Sequence, residues 1–132
     1  MTQRIAAINA FRPRLDLGKT VQKPELVRQL SRATGMNEGF ADQALKETRD
    51  WIIENNRAGR PVKIEGLGTW IPKIGLDGKF SIDYRPDQAL LNGLNTPDTF
   101  SGDIIHRENI GMTAADLVAL WNEAHPEDPV IE

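Results

Sequence analysis

The stretch that leaves this chain the fewest choices is VKIEGLGTWIPKI, from Val62 to Ile74. Apolar Val62 and Ile64 alternate with polar Lys63 and Glu65, the period of a half-buried strand. Gly66 and Gly68 then flank a single Leu67, and Trp70, Ile71 and Ile74 follow. Glycine adopts a positive φ at little steric cost and lets a second backbone come close. The expectation is a tight hairpin. A dinucleotide loop fails here, because the third glycine is missing and the residues after Gly68 read as strand rather than helix.

Elements on either side can be placed from local signals. A helix is expected from about Pro24 to Thr34, with Leu26, Val27, Leu30 and Ala33 as its apolar stripe and Gly35 as its stop. Asn37 should cap a longer helix, roughly Glu38 to Arg57, whose broad stripe includes Phe40, Ala41, Leu45, Trp51 and Ile52. After the hairpin, Asp77-Gly78 signals a turn, and Phe80 to Tyr84 alternates as a third strand. Arg85-Pro86-Asp87 is read as the opening of a short helix with Ala89, Leu90, Leu91 and Leu94 on its apolar side. Ile104-Ile105 suggests a brief strand. Thr113 and Asp116 form a capping box for a last helix at about 113–125 carrying Leu117, Leu120 and Trp121. Near the start, the apolar run Ile5 to Phe11 is read as an added edge strand ended by Pro13. The class is α+β.

Composition limits function. No run of about 18 apolar residues exists to cross a membrane, and no apolar leader with a cleavage site is evident. The absence of Cys removes disulfides and thiolate metal sites and suits a reducing cytoplasm. Net charge is −3, which by itself argues against a nucleic-acid binder. The charge is uneven: residues 1–97 hold 15 Lys and Arg against 11 Asp and Glu, a net of +4, whereas residues 98–132 hold 1 against 8, a net of −7. That reads as a mildly basic body with an acidic tail, either an interaction tail or merely a solvated C-terminus.

Catalytic chemistry has no foothold. His106 and His125 lack partners at metal-ligand spacing, no phosphate loop or nucleophile elbow occurs, and the acids form no dyad. The expectation is a non-enzyme without metal or cofactor.

Residues Gln22 to about Leu94 resemble the HU/IHF family of bacterial histone-like DNA-binding proteins. The resemblance rests on Pro24-Glu25-Leu26, on Ala58-Gly59 at the helix end, on Val62 to Trp70 with its Gly-Leu-Gly-Thr segment, and on Tyr84 to Leu90. It implies three parts: an N-terminal extension (1–21), an HU-like core (22–94) and an acidic C-terminal extension (95–132). The core would form an intertwined homodimer centred on Trp51, Leu67, Trp70 and Phe80. Duplex DNA would be met by Lys23, Gly66, Gly68, Lys73, Lys79 and Arg85 through sequence-nonspecific phosphate contacts, placing the protein in the cytoplasm at the nucleoid. The chain departs from the family between Ile74 and Phe80. Only Gly75-Leu76-Asp77-Gly78-Lys79 fits there, so the long basic arm and its Arg-Asn-Pro wedge are missing and little bending is expected. The alternative is an HU-fold interaction module that has lost DNA binding; the Leu117, Leu120 and Trp121 stripe is expected to pack on the chain's own body, with docking of a protein partner as the other reading. The tail could also cover the basic surface and compete with phosphate.

Overall fold

The computed structural model describes residues 2–130. Its elements in order are α1 (Arg4–Phe11), β1 (Arg14–Asp16), α2 (Lys23–Thr34), α3 (Glu38–Arg57), β2 (Val62–Ile64), β3 (Gly68–Ile74), β4 (Phe80–Pro86), α4 (Gln88–Leu94), β5 (Asp103–Ile105), a 3₁₀ turn (Arg107–Asn109) and α5 (Ala114–Ala124). This is an α+β chain. It divides into two units: Thr20–Phe100 forms one, and the two ends of the chain, up to Lys19 and from Ser101, form the other.

In the Thr20–Phe100 unit, helix boundaries follow their caps. Gly35 sits at φ +73, and its amide donates to Ser31 O at 2.9 Å, closing α2. The Asn37 carboxamide oxygen accepts from Gly39 N at 2.8 Å and starts α3. The helices are tied by Asp42 of α3, which lies 2.7 Å from Lys23 and 2.9 Å from Lys46. These partners, Lys23 first and then Lys46, hold the Asp42 carboxyl below its ordinary value of 3.8. The sheet has the order β2-β3-β4 and is antiparallel throughout. The Asn56 amide anchors α3 to it, donating to Trp70 O at 3.4 Å.

The glycine hairpin is drawn in from several sides. Gly66 takes φ +86, and Leu67 N donates to Ile64 O at 3.0 Å. Leu67 O accepts from the Tyr84 hydroxyl at 2.8 Å and from Asp87 N at 3.1 Å. Pro86 does not open the helix, as the sequence suggested. It is the last residue of β4, opposite Gly68, and an edge strand tolerates its missing N–H. Asp87 is the cap of α4, accepting from Ala89 N at 2.9 Å.

The second unit corrects the reading of the N-terminus. Ile5 to Phe11 lies in helix α1, not in an edge strand. The run never alternates, and Ala6, Ala7 and Ala10 favour helix. Ala7, with no exposed surface, forms a small core with Val118 and Val130, flanked by Ile8 and Trp121. The strand begins after Pro13 instead of ending there: β1 pairs antiparallel with β5, Leu15 opposite Ile104. Buried Asn109 donates its amide to Phe11 O at 2.6 Å. The expected capping box is present at α5, with Asp116 N donating to Thr113 Oγ1 at 3.2 Å. His125 is the C-cap of α5, one residue past its last turn, and stacks on Trp121 at 3.8 Å. Trp121 Nε1 donates to Asp128 O at 2.8 Å.

Candidate nucleic-acid interface

Strand register gives the sheet two unlike faces. Val62 stands opposite Trp70, and Trp70 opposite Tyr84; Pro72 opposes Ile82, and Ile74 opposes Phe80. With alternate side chains on opposite sides, these residues and Ile64 form an apolar face. It turns toward α3, since Ile53 and Asn56 join Pro72, Phe80 and Ile82 around one cavity of about 390 Å³. The other face carries Lys63 opposite Thr69, Thr69 opposite Arg85, Ile71 opposite Asp83, and Lys73 opposite Ser81. Successive rows are about 7 Å apart. This face thus presents three cations, two hydroxyls and one acid around Ile71.

Sequence reasoning singled out two of those cations, Lys73 and Arg85. It missed Lys63, Thr69 and Ser81, although the alternation around Lys63 already marked it as pointing away from Val62. Lys73 Nζ lies 3.2 Å from Asp83, and Arg85 Nε lies 3.8 Å from the same carboxylate oxygen. Among the described residues, Lys63 and Lys79 make no ion pair. Lys79 sits in the β3–β4 turn, where its amide donates to Asp77 Oδ1 at 3.0 Å. Lys23 stands at the start of α2, committed to Asp42 rather than grouped with the sheet lysines.

The two glycines expected to admit a phosphate behave differently. A Cβ on Gly68 would meet Arg85 O at 2.5 Å and the Tyr84 ring at 2.6 Å. Its bare Cα is used inside the unit, against β4. Gly66 has open space around it. Asp87 is held below the ordinary 3.8, first by Ala89 N–H, then by Gly66 N–H, with the charge of Lys63 adding to them.

Of the four residues expected in a dimer core, Trp70 and Phe80 lie on the apolar face, Leu67 lies in the turn before β3, and Trp51 lies on α3. Within one chain Phe80 is 81% exposed, Trp51 and Leu67 are each 50% exposed, and Trp70 is half-buried against Tyr84, with ring centroids 5.1 Å apart. Phe40 is 71% exposed, and Leu90, Leu91 and Leu94 of α4 are also exposed. The buried apolar residues of the whole Thr20–Phe100 unit are Val27, Ala41 and Val62.

Charge follows the two units and not the linear order. Thr20–Phe100 holds 11 Lys and Arg against 11 Asp and Glu, a net of zero. The basic residues Arg4, Arg12, Arg14 and Lys19 belong with the acidic end of the chain. In the tail stripe Leu117 is buried and Trp121 packs on the α1–α5 core, in line with packing on the chain's own body rather than with docking of a partner. Among the described residues no cluster suits a metal ion, and no helix is long and apolar enough to cross a membrane.

No protein-family model matches the sequence, and no curated protein matches it at a significant level.

Proposed function

We propose that the Thr20–Phe100 unit is an HU-like half-core that completes itself by homodimerisation, and that the dimer holds duplex DNA on the cationic faces of its sheets. A single observation supports both parts: the sheet is apolar on one side and cationic on the other. Burying a Phe, Leu or Trp side chain contributes about 1.5–3 kcal/mol. Phe40, Trp51, Leu67, Phe80 and the leucines of α4 gain little of that in one chain. A second copy of the same half-core offers the same uncovered residues, which is the requirement of a self-complementary two-fold interface.

On the opposite face, Lys63, Lys73 and Arg85 supply charge, and Thr69 and Ser81 supply hydroxyl donors for phosphate oxygens. None of these chemistries distinguishes one base pair from another, so binding is independent of sequence. The β3–β4 turn reaches no farther than Gly75–Lys79, so the duplex is held without being wrapped and bends little. The role is that of a nucleoid-associated protein.

A second reading keeps the dimer and gives up DNA. It is favoured by the zero net charge of Thr20–Phe100 and by the ion pairs that occupy Lys23, Lys73 and Arg85. Duplex binding by fluorescence anisotropy across a salt series separates the two. The DNA reading requires binding near 50 mM salt that weakens steeply and linearly in log–log form. No binding at any salt leaves only the interaction module.

A further inference from the structure

Asp83 stands in the middle row of the cationic face. One row away on one side is Lys73 with Ser81, and one row away on the other is Arg85 with Thr69 and Lys63. Both Lys73 and Arg85 reach the same oxygen, Asp83 Oδ2, at 3.2 and 3.8 Å. All three side chains are well exposed, between 40% and 71%. Exposed ion pairs contribute roughly 0–1 kcal/mol to stability, so folding gains little from placing an acid here. Its effect on a bound anion is larger, because it removes one of the three charges on the face and engages two of the cations.

We propose that Asp83 is an internal counter-ion that sets the affinity of this face: a phosphate reaching Lys73 or Arg85 must displace its carboxylate. This rests on the DNA-binding reading above and adds a regulator to the same site. The carboxylate also lies where a phosphate bridging the outer rows would pass, so like-charge repulsion adds to competition. The face is therefore one that exchanges DNA readily, weak by composition and not by loss of cations.

The test measures duplex affinity of the full chain at about 100 mM salt for wild type, Asp83→Asn, Asp83→Glu and Asp77→Asn. Asp77→Asn removes the same formal charge from the neighbouring turn but leaves Lys73 and Arg85 paired. The proposal expects Asp83→Asn to bind at least about tenfold tighter, with a steeper salt dependence as freed cations contact phosphate. Asp83→Glu should stay near wild type, and the thermal midpoint of Asp83→Asn should barely move. Binding by Asp83→Asn alone also supports it. A gain no greater than that of Asp77→Asn overturns this inference while leaving DNA binding intact. No binding by any of the four proteins overturns both.

Discussion

The Asp87 carboxylate accepts from Ala89 N at 2.9 Å while the Asp87 amide donates to Leu67 O at 3.1 Å, so one residue caps α4 and anchors the glycine turn. The Ala89 N–H first, and the nearby Gly66 N–H next, favour the ionised carboxylate, so its proton affinity is lowered in the folded chain. A carboxyl with a lowered folded value lends stability that is complete above its unfolded value of 3.8 and lost as pH falls through the folded one. Asp42 adds to the same trend. Asp87→Asn should lower the urea midpoint at pH 7. The gap from wild type should close as pH falls below 3.8, because wild type then loses the same charge.

Gly68 and Gly35 differ in why they are glycine. At Gly35 only the positive φ matters, since no atom lies within 4 Å of the site of a Cβ. Gly35→Ala should cost about 1–2 kcal/mol. At Gly68 an added methyl strikes the Arg85 carbonyl and the Tyr84 ring, so Gly68→Ala should cost more, about 3 kcal/mol or above. Urea unfolding of the two variants checks the order.

Phe80 is largely exposed in one chain and central to the proposed interface. Unfolding of a dimer depends on protein concentration. The urea midpoint of wild type should rise with concentration, and in Phe80→Asp that dependence should vanish. A midpoint equally dependent on concentration in both proteins would place the interface elsewhere.

Lys63 shares a row with Thr69 and Arg85 and makes no ion pair among the described residues. Lys63→Ala should weaken duplex binding for all sequences alike. It should also reduce the salt slope by about 0.9 per protomer, or about 1.8 per dimer. An unchanged slope would remove Lys63 from the interface.

Ala7 has no exposed surface and is enclosed by Val118 and Val130. Ala7→Leu should cost about 1–3 kcal/mol by overpacking. The loss should appear in hydrogen exchange of α1 and α5, with Thr20–Phe100 protected as before. This pairing of the chain ends also changes what a tail deletion reports, because α1 loses its partner along with the acidic residues.

What the sequence disclosed depended on range. The ends of α2, α3 and α5 are written in Gly35, Asn37 and the Thr113–Asp116 box, whose bonds span a few residues. Helix α1 departs from the expected strand because an apolar run without alternation carries no period, and its alanines are the better signal. Thr2 pairing with Val130, and Asn109 reaching Phe11 O, join positions about a hundred residues apart, with no local mark. At the candidate interface, Lys73 and Arg85 were visible as charges. That Lys63 belongs with them and that Asp83 engages two of them follow only from strand register.

Sedimentation equilibrium of the full chain, without DNA and over a hundredfold range of concentration, tests the half-core directly. A reversible species of two chains is predicted, dominant at the upper concentrations. A well-folded monomer throughout would contradict the account, since the apolar face of the sheet and the leucines of α4 would then have no second copy to cover them.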